Sequence, residues 1–205
     1  MREAPLPILL VNGLWGTTQE LEPLRAFLAE RTGRLVQTLA FSPANGSAPI
    51  AALGAQVSAA CQDILRTQRC ARLDLVGFSM GALASRYFVQ RGEGKTFVRK
   101  FVSISGPHAG SLNAHLLPLA GARDMRPGST LLKDLASDSD PFGPVEVHVM
   151  YTPFDVVVVP ARSALLPQAK SVTKIPTLLH RFMIKDARAL AHVATLLGPA
   201  PATGA

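Results

Sequence analysis

Short apolar runs alternate along this chain with segments in which apolar residues recur at every third or fourth position. The runs are typical of buried strands and fall at residues 7–11, 34–39, 73–76, 97–104 and 145–151. The recurring pattern predicts helices from Leu24 to Gly33, from Ile50 to Leu65, from Ala82 to about Gln90, and from about Asp186 to Leu197. Strands that alternate with helices predict an α/β protein whose mainly parallel sheet is covered by helices on both faces.

The sequence shows no internal repeat and no linker-like segment before its last few positions. A chain of 205 residues buries about 70% of the surface that it exposes when unfolded, so one core needs no disulfide or metal to support it. We therefore predict a single domain over residues 1–198 and a disordered Pro/Ala/Gly/Thr tail over 199–205.

Basic residues outnumber acidic residues by 21 to 14, which gives a net charge of +7. The basic residues are scattered and are not interleaved with aromatic side chains, so we predict no nucleic-acid partner and favour a solvated basic surface. Attraction to anionic lipid aggregates or acidic substrates stays open, and with it a transient contact with a lipid surface.

No apolar run approaches the roughly 20 residues that a membrane-spanning helix needs. The chain enters its first strand without the apolar segment and small-residue cleavage site of a signal peptide. We expect a cytoplasmic protein without a transmembrane segment, or a secreted one if a leader is missing. Cys61 and Cys70 would lie about 13 Å apart on a continuous helix, too far for a disulfide.

The segment Gly77-Phe78-Ser79-Met80-Gly81 stands between the predicted third strand and the helix that follows it. A strand that runs through G-x-S-x-G into a helix is the nucleophile elbow of serine hydrolases, in which the serine sits on a strained turn and the flanking glycines remove colliding side chains. The helix N-terminus there favours negative charge on a reacting oxygen. The pattern predicts Ser79 as a nucleophile.

A serine nucleophile needs an acid and a histidine at the carboxyl ends of later strands. Asp155 follows the fifth strand and lies between apolar runs, where a carboxylate needs a partner such as a histidine N–H. His180 lies on a loop before the last helix and completes the chain order Ser, Asp, His, so we predict it as the general base. His108, after the fourth strand, is the rival base; because it precedes Asp155, we interpret it as a pocket-wall residue.

An oxyanion hole needs two backbone N–H groups aimed at one point. Met80 supplies one at the start of the elbow helix, and the glycine-containing loop after the first strand supplies the other, for which we select Leu14. Asn12 and Trp15 in the same loop are expected at the substrate pocket, although Trp15 would serve equally as a core residue.

These motifs together resemble the compact bacterial lipases and esterases of the α/β-hydrolase superfamily. The resemblance covers nearly the whole chain and rests on residues 12–16, 77–81 and 105–111, on Asp155 followed by valines and Pro160, and on His180. It implies an α/β-hydrolase fold with a small or absent lid. Asn12 stands where those lipases have a histidine, and Arg181 follows the base directly, where a cation could lower the basicity of the imidazole.

The implied chemistry is hydrolysis of a small-molecule ester or lipid through an acyl-enzyme intermediate, without a metal or organic cofactor. Residues 112–144 are rich in leucine, glycine and proline and would line an acyl pocket, form a small cap, or pack as ordinary helices. Three alternatives stay open: a thioesterase or amidase with the same triad, a non-catalytic hydrolase-fold binding protein, and a module that binds lipid surfaces without turnover.

Overall fold

Six parallel strands form one twisted sheet in a computed structural model that describes residues 5–198. The strands are β1 (Ile8–Val11), β2 (Val36–Leu39), β3 (Leu73–Phe78), β4 (Val98–Ile104), β5 (Glu146–Tyr151) and β6 (Ser171–Lys174). Their order across the sheet is β2-β1-β3-β4-β5-β6, so the chain begins next to one edge, places β2 at that edge, and then adds β3 to β6 in order on the other side of β1. The carboxyl ends of β1, β3 and β5 therefore open onto one edge of the sheet.

Seven α-helices and four short 3₁₀ turns connect these strands within the described residues. The helices are α1 (Glu22–Thr32), α2 (Ile50–Gln68), α3 (Met80–Arg91), α4 (Gly94–Phe97), α5 (Ala120–Asp124), α6 (Thr130–Ala136) and α7 (Ala187–Leu197). The 3₁₀ turns are Gln19–Leu21, Leu112–Leu116, Ala161–Ala164 and His180–Ile184. Gly33 ends α1 in a left-handed conformation, as its position after the apolar stripe predicts.

Side chains alternate along the strands and divide the interior into two apolar layers. Leu9 and Val11 point to the face covered by α2, α3 and α6, whereas Ile8 and Leu10 point to the face covered by α1 and α7. Cys61 is buried in the first layer, and burial raises the pKa of its thiol to about 12. The predicted mainly parallel sheet with helices on both faces is confirmed.

Two details of the predicted elements were wrong. The sixth strand, Ser171–Lys174, was missed because it is a short edge strand whose residues are half-buried or exposed, without an apolar run. Phe97 belongs to the short helix α4, and the fourth strand begins one residue later. The predicted tail over 199–205 lies outside the described residues.

No helix in the described part of the chain is long and apolar enough to cross a membrane. Residues 112–144 fold into a 3₁₀ turn followed by α5 and α6. The turn and α5 lie beside Ser79 at the carboxyl edge of the sheet, whereas α6 packs on the layer that contains α2 and α3.

Candidate active site

The turn between β3 and α3 holds Ser79 in a backbone conformation that few residues adopt. Its φ is +55° and its ψ is −126°, a strained region for a side chain with a Cβ. A Cβ on Gly77 would lie 2.6 Å from the Cα of Ala82, and a Cβ on Gly81 would lie 2.3 Å from the carbonyl oxygen of Asn12. Both glycines are therefore required by close backbone contacts, one within the elbow and one against the end of β1.

Asp155 and His180 form a buried hydrogen-bonded pair. His180 Nδ1 lies 2.7 Å from Asp155 Oδ2, and the other carboxylate oxygen accepts the N–H groups of Val157 and Val158 at 2.9 Å. Burial alone raises the pKa of Asp155, but the bond from His180 and the two backbone bonds outweigh it and leave that pKa below its ordinary value. The carboxylate is therefore ionised at neutral pH and fixes the orientation of the imidazole.

The other ring nitrogen of His180 is free. Nε2 is buried and has no hydrogen-bond partner among residues 5–198, so no hydrogen bond joins it to Ser79. The ring stacks on Phe78, with centroids 4.8 Å apart, and Phe78 directly precedes the serine. The sequence pattern indicates no role for Phe78 at the site, yet the Phe78 ring contacts the imidazole and keeps it beside the elbow. Catalytic hydrogen bonds are often incomplete until substrate binds, so this geometry is compatible with proton transfer.

The loop after β1 lies against the serine and presents an unbonded amide. A Cβ on Gly13 would come within 2.8 Å of the Ser79 Cβ and 3.3 Å of its Oγ. The amides on either side of Leu14 are occupied, since Gly13 donates to Asn12 Oδ1 at 2.8 Å and Trp15 donates to Ala44 O at 2.7 Å. Within the described residues the N–H groups of Leu14 and Met80 donate to no acceptor.

An apolar cavity of about 320 Å³ opens beside Ser79. Leu14, Trp15 and Met80 line it together with parts of 107–125 and 156–158. The elements over 112–125 therefore form one wall of this cavity. Its lining is almost wholly apolar, which suits a hydrocarbon group bound next to a nucleophile.

Two residues predicted at the substrate pocket point away from this cavity. The Asn12 side chain bonds to Gly13 N–H and donates from Nδ2 to Thr17 O at 2.7 Å, so it shapes the loop from inside. His108 lies behind the elbow, where its Nε2 is 2.6 Å from Ser103 Oγ. Burial, with a smaller contribution from nearby Arg86, lowers the pKa of His108 well below 6.5. Both side chains are drawn inward by polar partners that the sequence pattern does not reveal.

Arg181, which the sequence placed next to the predicted base, is paired. Its Nη1 lies 2.6 Å from Glu20 Oε1. His148 and His192 bond to Ser171 and Thr173, in keeping with the structural roles that their positions in regular elements suggest. Among residues 5–198 no group of three or more His, Cys, Asp or Glu side chains is placed to hold a metal ion.

A family model described as palmitoyl protein thioesterase matches residues 7–140. Comparison with the sequences of curated proteins gives no match. Among solved structures, the mature form of a Bacillus licheniformis lipase superposes with a TM-score of 0.78 at 17% identity, covering 96% of this chain and 93% of that chain. Aspergillus fumigatus lipase B gives 0.81 at 17% identity, covering 96% of this chain and 54% of that one.

A thioesterase from the prodiginine biosynthetic pathway of Streptomyces coelicolor gives a TM-score of 0.58 at 17% identity, covering 94% of this chain and 85% of that chain. At these identities the likenesses establish the fold, which is the α/β-hydrolase fold.

Proposed function

Because this chain belongs to the palmitoyl protein thioesterase family, we propose that it is a serine hydrolase that cleaves carboxylic esters or thioesters through an acyl-enzyme intermediate. The family and the lipase-like fold together support a hydrolase of the lipase, esterase or thioesterase type. The observation that carries the proposal is the strained Ser79, flanked by two unbonded amides and by a histidine whose outer nitrogen is free.

In the proposed mechanism Ser79 Oγ attacks the acyl carbonyl carbon while His180 Nε2 accepts the hydroxyl proton. The N–H groups of Leu14 and Met80 stabilise the oxyanion, because both are unbonded and neither needs to reorganise. Asp155 holds the ring through Nδ1 and stabilises the imidazolium. His180 then gives the proton to the leaving alcohol or thiol. In the second half of the reaction His180 takes a proton from water, the water oxygen attacks the acyl carbonyl, and the acid leaves as Ser79 regains its proton.

The cavity beside Ser79 favours an acyl group of hydrocarbon character. Its lining offers almost no polar side chain besides Ser79, Ser111 and Asn113. A polar acyl group would lose its hydration there without recovering hydrogen bonds, whereas a fatty acyl chain would gain by leaving water. For an amide substrate, which the same triad would also cleave, no feature of this cavity provides support.

The first experiment measures hydrolysis of p-nitrophenyl esters from acetate to palmitate, and of matching acyl thioesters, by the native chain and by Ser79→Ala. We expect Ser79→Ala to lower kcat on the order of a millionfold, the effect seen for the triad serine of subtilisin. Ser85→Ala is the matched control, because Ser85 is buried on the same helix and its hydroxyl has no partner in the described structure.

Three further variants test the roles assigned to the other residues. Asp155→Asn and His180→Ala should cost nearly as much as Ser79→Ala, whereas His108→Ala should cost far less. Equal losses in His108→Ala and His180→Ala would refute the assignment of the base. A native chain that neither hydrolyses these substrates nor reacts with a fluorophosphonate at Ser79 would instead be a non-catalytic binding protein.

Contact with a lipid surface is a second proposal that a specific observation favours. The exposed large apolar side chains of the described residues lie mainly on connections that leave the carboxyl edge of the sheet, including Trp15, Leu116, Val156 and Phe182. Four of the exposed apolar side chains line the cavity beside Ser79, namely Trp15, Leu116, Val156 and Val157. Trp15 is the single tryptophan, so its fluorescence reports the contact directly. We expect a blue shift with anionic vesicles in Ser79→Ala as in the native chain; an unchanged spectrum would refute it.

A further inference from the structure

Glu20 lies between the two loops that carry opposite halves of the candidate site. Its Oε1 accepts from Arg181 Nη1 at 2.6 Å, and its Oε2 accepts from Asn12 Nδ2 at 3.2 Å. The carboxylate is largely withdrawn from solvent, with 11% of its side chain exposed, whereas 55% of the Arg181 side chain is exposed. Glu20 thus makes a partly buried bridge, unlike the exposed ion pairs within α1.

The two partners of Glu20 are each one or two residues from a group that the proposed mechanism uses. Asn12 Oδ1 holds the N–H of Gly13, which precedes the Leu14 amide of the oxyanion hole. The space for this side chain is prepared by Gly16, where a Cβ would lie 2.3 Å from Asn12 Cγ. Arg181 directly follows His180 in the 3₁₀ turn His180–Ile184.

Arg181 directly follows the proposed base in the chain, and its guanidinium pairs with Glu20. A cation next to an imidazole disfavours the imidazolium that forms when the base accepts the serine proton. Asp155 is bonded to Nδ1 of His180, and Arg181, in the same turn, pairs with Glu20 from the segment after β1. Lys185 comes directly after that turn, and Asp186, which precedes α7, is bound to Arg188.

We propose that Glu20 is a positioning residue that ties the oxyanion-side loop to the turn carrying His180 and cancels the charge of Arg181 on the imidazole. The proposal rests on the proposed function, in which His180 is the base and the Leu14 amide binds the oxyanion. It explains how this chain carries an asparagine before the oxyanion loop and an arginine after the base: one carboxylate binds both.

The test follows the titration of the His180 Cε1–H resonance by NMR, which does not depend on turnover. The resonance is assigned by its loss in His180→Gln. We expect Glu20→Gln to move its midpoint to lower pH and Arg181→Met to move it to higher pH, because each leaves one charge unopposed. Because the Arg181 side chain is 55% exposed, solvent screens its charge, and we expect each shift to be about half a pH unit. The double variant should return close to the native midpoint.

The kinetic counterpart uses the preferred p-nitrophenyl ester. In Glu20→Gln we expect kcat to fall about threefold, the equivalent of half a pH unit, with KM unchanged because Glu20 does not line the cavity. Glu22→Gln is the matched control: it removes the same charge two residues away, and Glu22 binds Arg25 within its own helix. Thermal unfolding of each variant separates a loss of fold from a loss of positioning.

The outcomes separate this proposal from the proposed function. A native chain without hydrolysis would refute the proposed function, whereas the two midpoints would still report the electrostatic link. An active native enzyme in which Glu20→Gln and Arg181→Met move the midpoint no further than Glu22→Gln does would overturn the role of Glu20. Shifts of the same sign in both variants would overturn it as well, because loss of local structure, and not charge, would then be their cause.

Discussion

Replacing Ala122 by leucine should shorten the longest acyl chain that the enzyme accepts. Ala122 is fully buried and lines the cavity beside Ser79. The cavity measures about 320 Å³. If a methylene takes about the volume of one water in the liquid, roughly 30 Å³, the cavity holds on the order of ten carbons. Leucine adds three carbon groups to alanine, so Ala122→Leu should move the preferred chain from about ten carbons to about seven.

The cost follows from the apolar burial that the displaced carbons lose. At about 0.8 kcal/mol per methylene, three excluded groups cost about 2.4 kcal/mol. This corresponds to a loss of about 60-fold in kcat/KM for the decanoate ester, while the acetate ester, which does not reach Ala122, should be unaffected. The assay is the p-nitrophenyl ester series, with kcat/KM for each chain length compared between the native chain and the variant.

Ala59→Leu is the matched control, because Ala59 lines a separate surface groove between α2 and α3. It should leave the whole chain-length profile unchanged. The reasoning is refuted if Ala122→Leu lowers kcat/KM equally for acetate and decanoate, which would indicate general damage to the site. It is also refuted if a folded variant keeps the native profile, because the acyl chain would then bind elsewhere.

Two predictions concern stability. Asp74→Asn should lower the unfolding free energy, measured by urea titration, by about 3–5 kcal/mol, because it leaves the buried Arg34 and the partner Arg99 without their shared carboxylate. Asp63→Asn, in an exposed pair, should lower the same free energy by less than about 1 kcal/mol. Burial lowers the pKa of His108 below 6.5, so the unfolded chain takes up a proton that the folded chain refuses, and stability falls below about pH 6.5 by up to about 1.4 kcal/mol per pH unit. His108→Gln should flatten the fall in stability below about pH 6.5. Equal slopes in the native chain and in the variant would refute the attribution of that fall to His108.

Most of the fold could be predicted because it rests on local patterns. Apolar runs are typical of strands that helices cover on both faces. The strand β1 is fully apolar, and β3 and β4 each contain an apolar run beside a few polar residues. The edge strand β6 carries Ser171, Thr173 and Lys174, so its place depends on pairing with β5 and not on its own residues. Strand pairing at an edge is a tertiary effect that periodicity does not report.

The candidate site likewise has a part that local sequence predicts and a part that depends on contacts between distant residues. The elbow is predictable because its glycines, its serine and its flanking elements are contiguous, and the order Ser, Asp, His narrows the choice of partners. Glu20 could not be found from the sequence, because its partners lie 8 and 161 residues away along the chain. Phe78 is similar: its apolar side chain reads as core, and only the structure brings its ring onto His180.

Ester and thioester hydrolysis share every step in which the cavity takes part, and this makes the choice between them a question about the leaving group. In the proposed mechanism both substrates place the same acyl chain beside Ser79 and the same carbonyl oxygen at the Leu14 and Met80 amides, and both give the same acyl-enzyme. The chain-length profile should therefore be the same for p-nitrophenyl esters and for acyl thioesters, displaced by one constant factor in kcat/KM.

Profiles of different shape would mean that the leaving group alters how the acyl chain binds, and that the cavity beside Ser79 serves only one of the two substrate classes. Measuring both series on Ala122→Leu gives the strictest form of this comparison, because a shared cavity requires the two optima to shorten together.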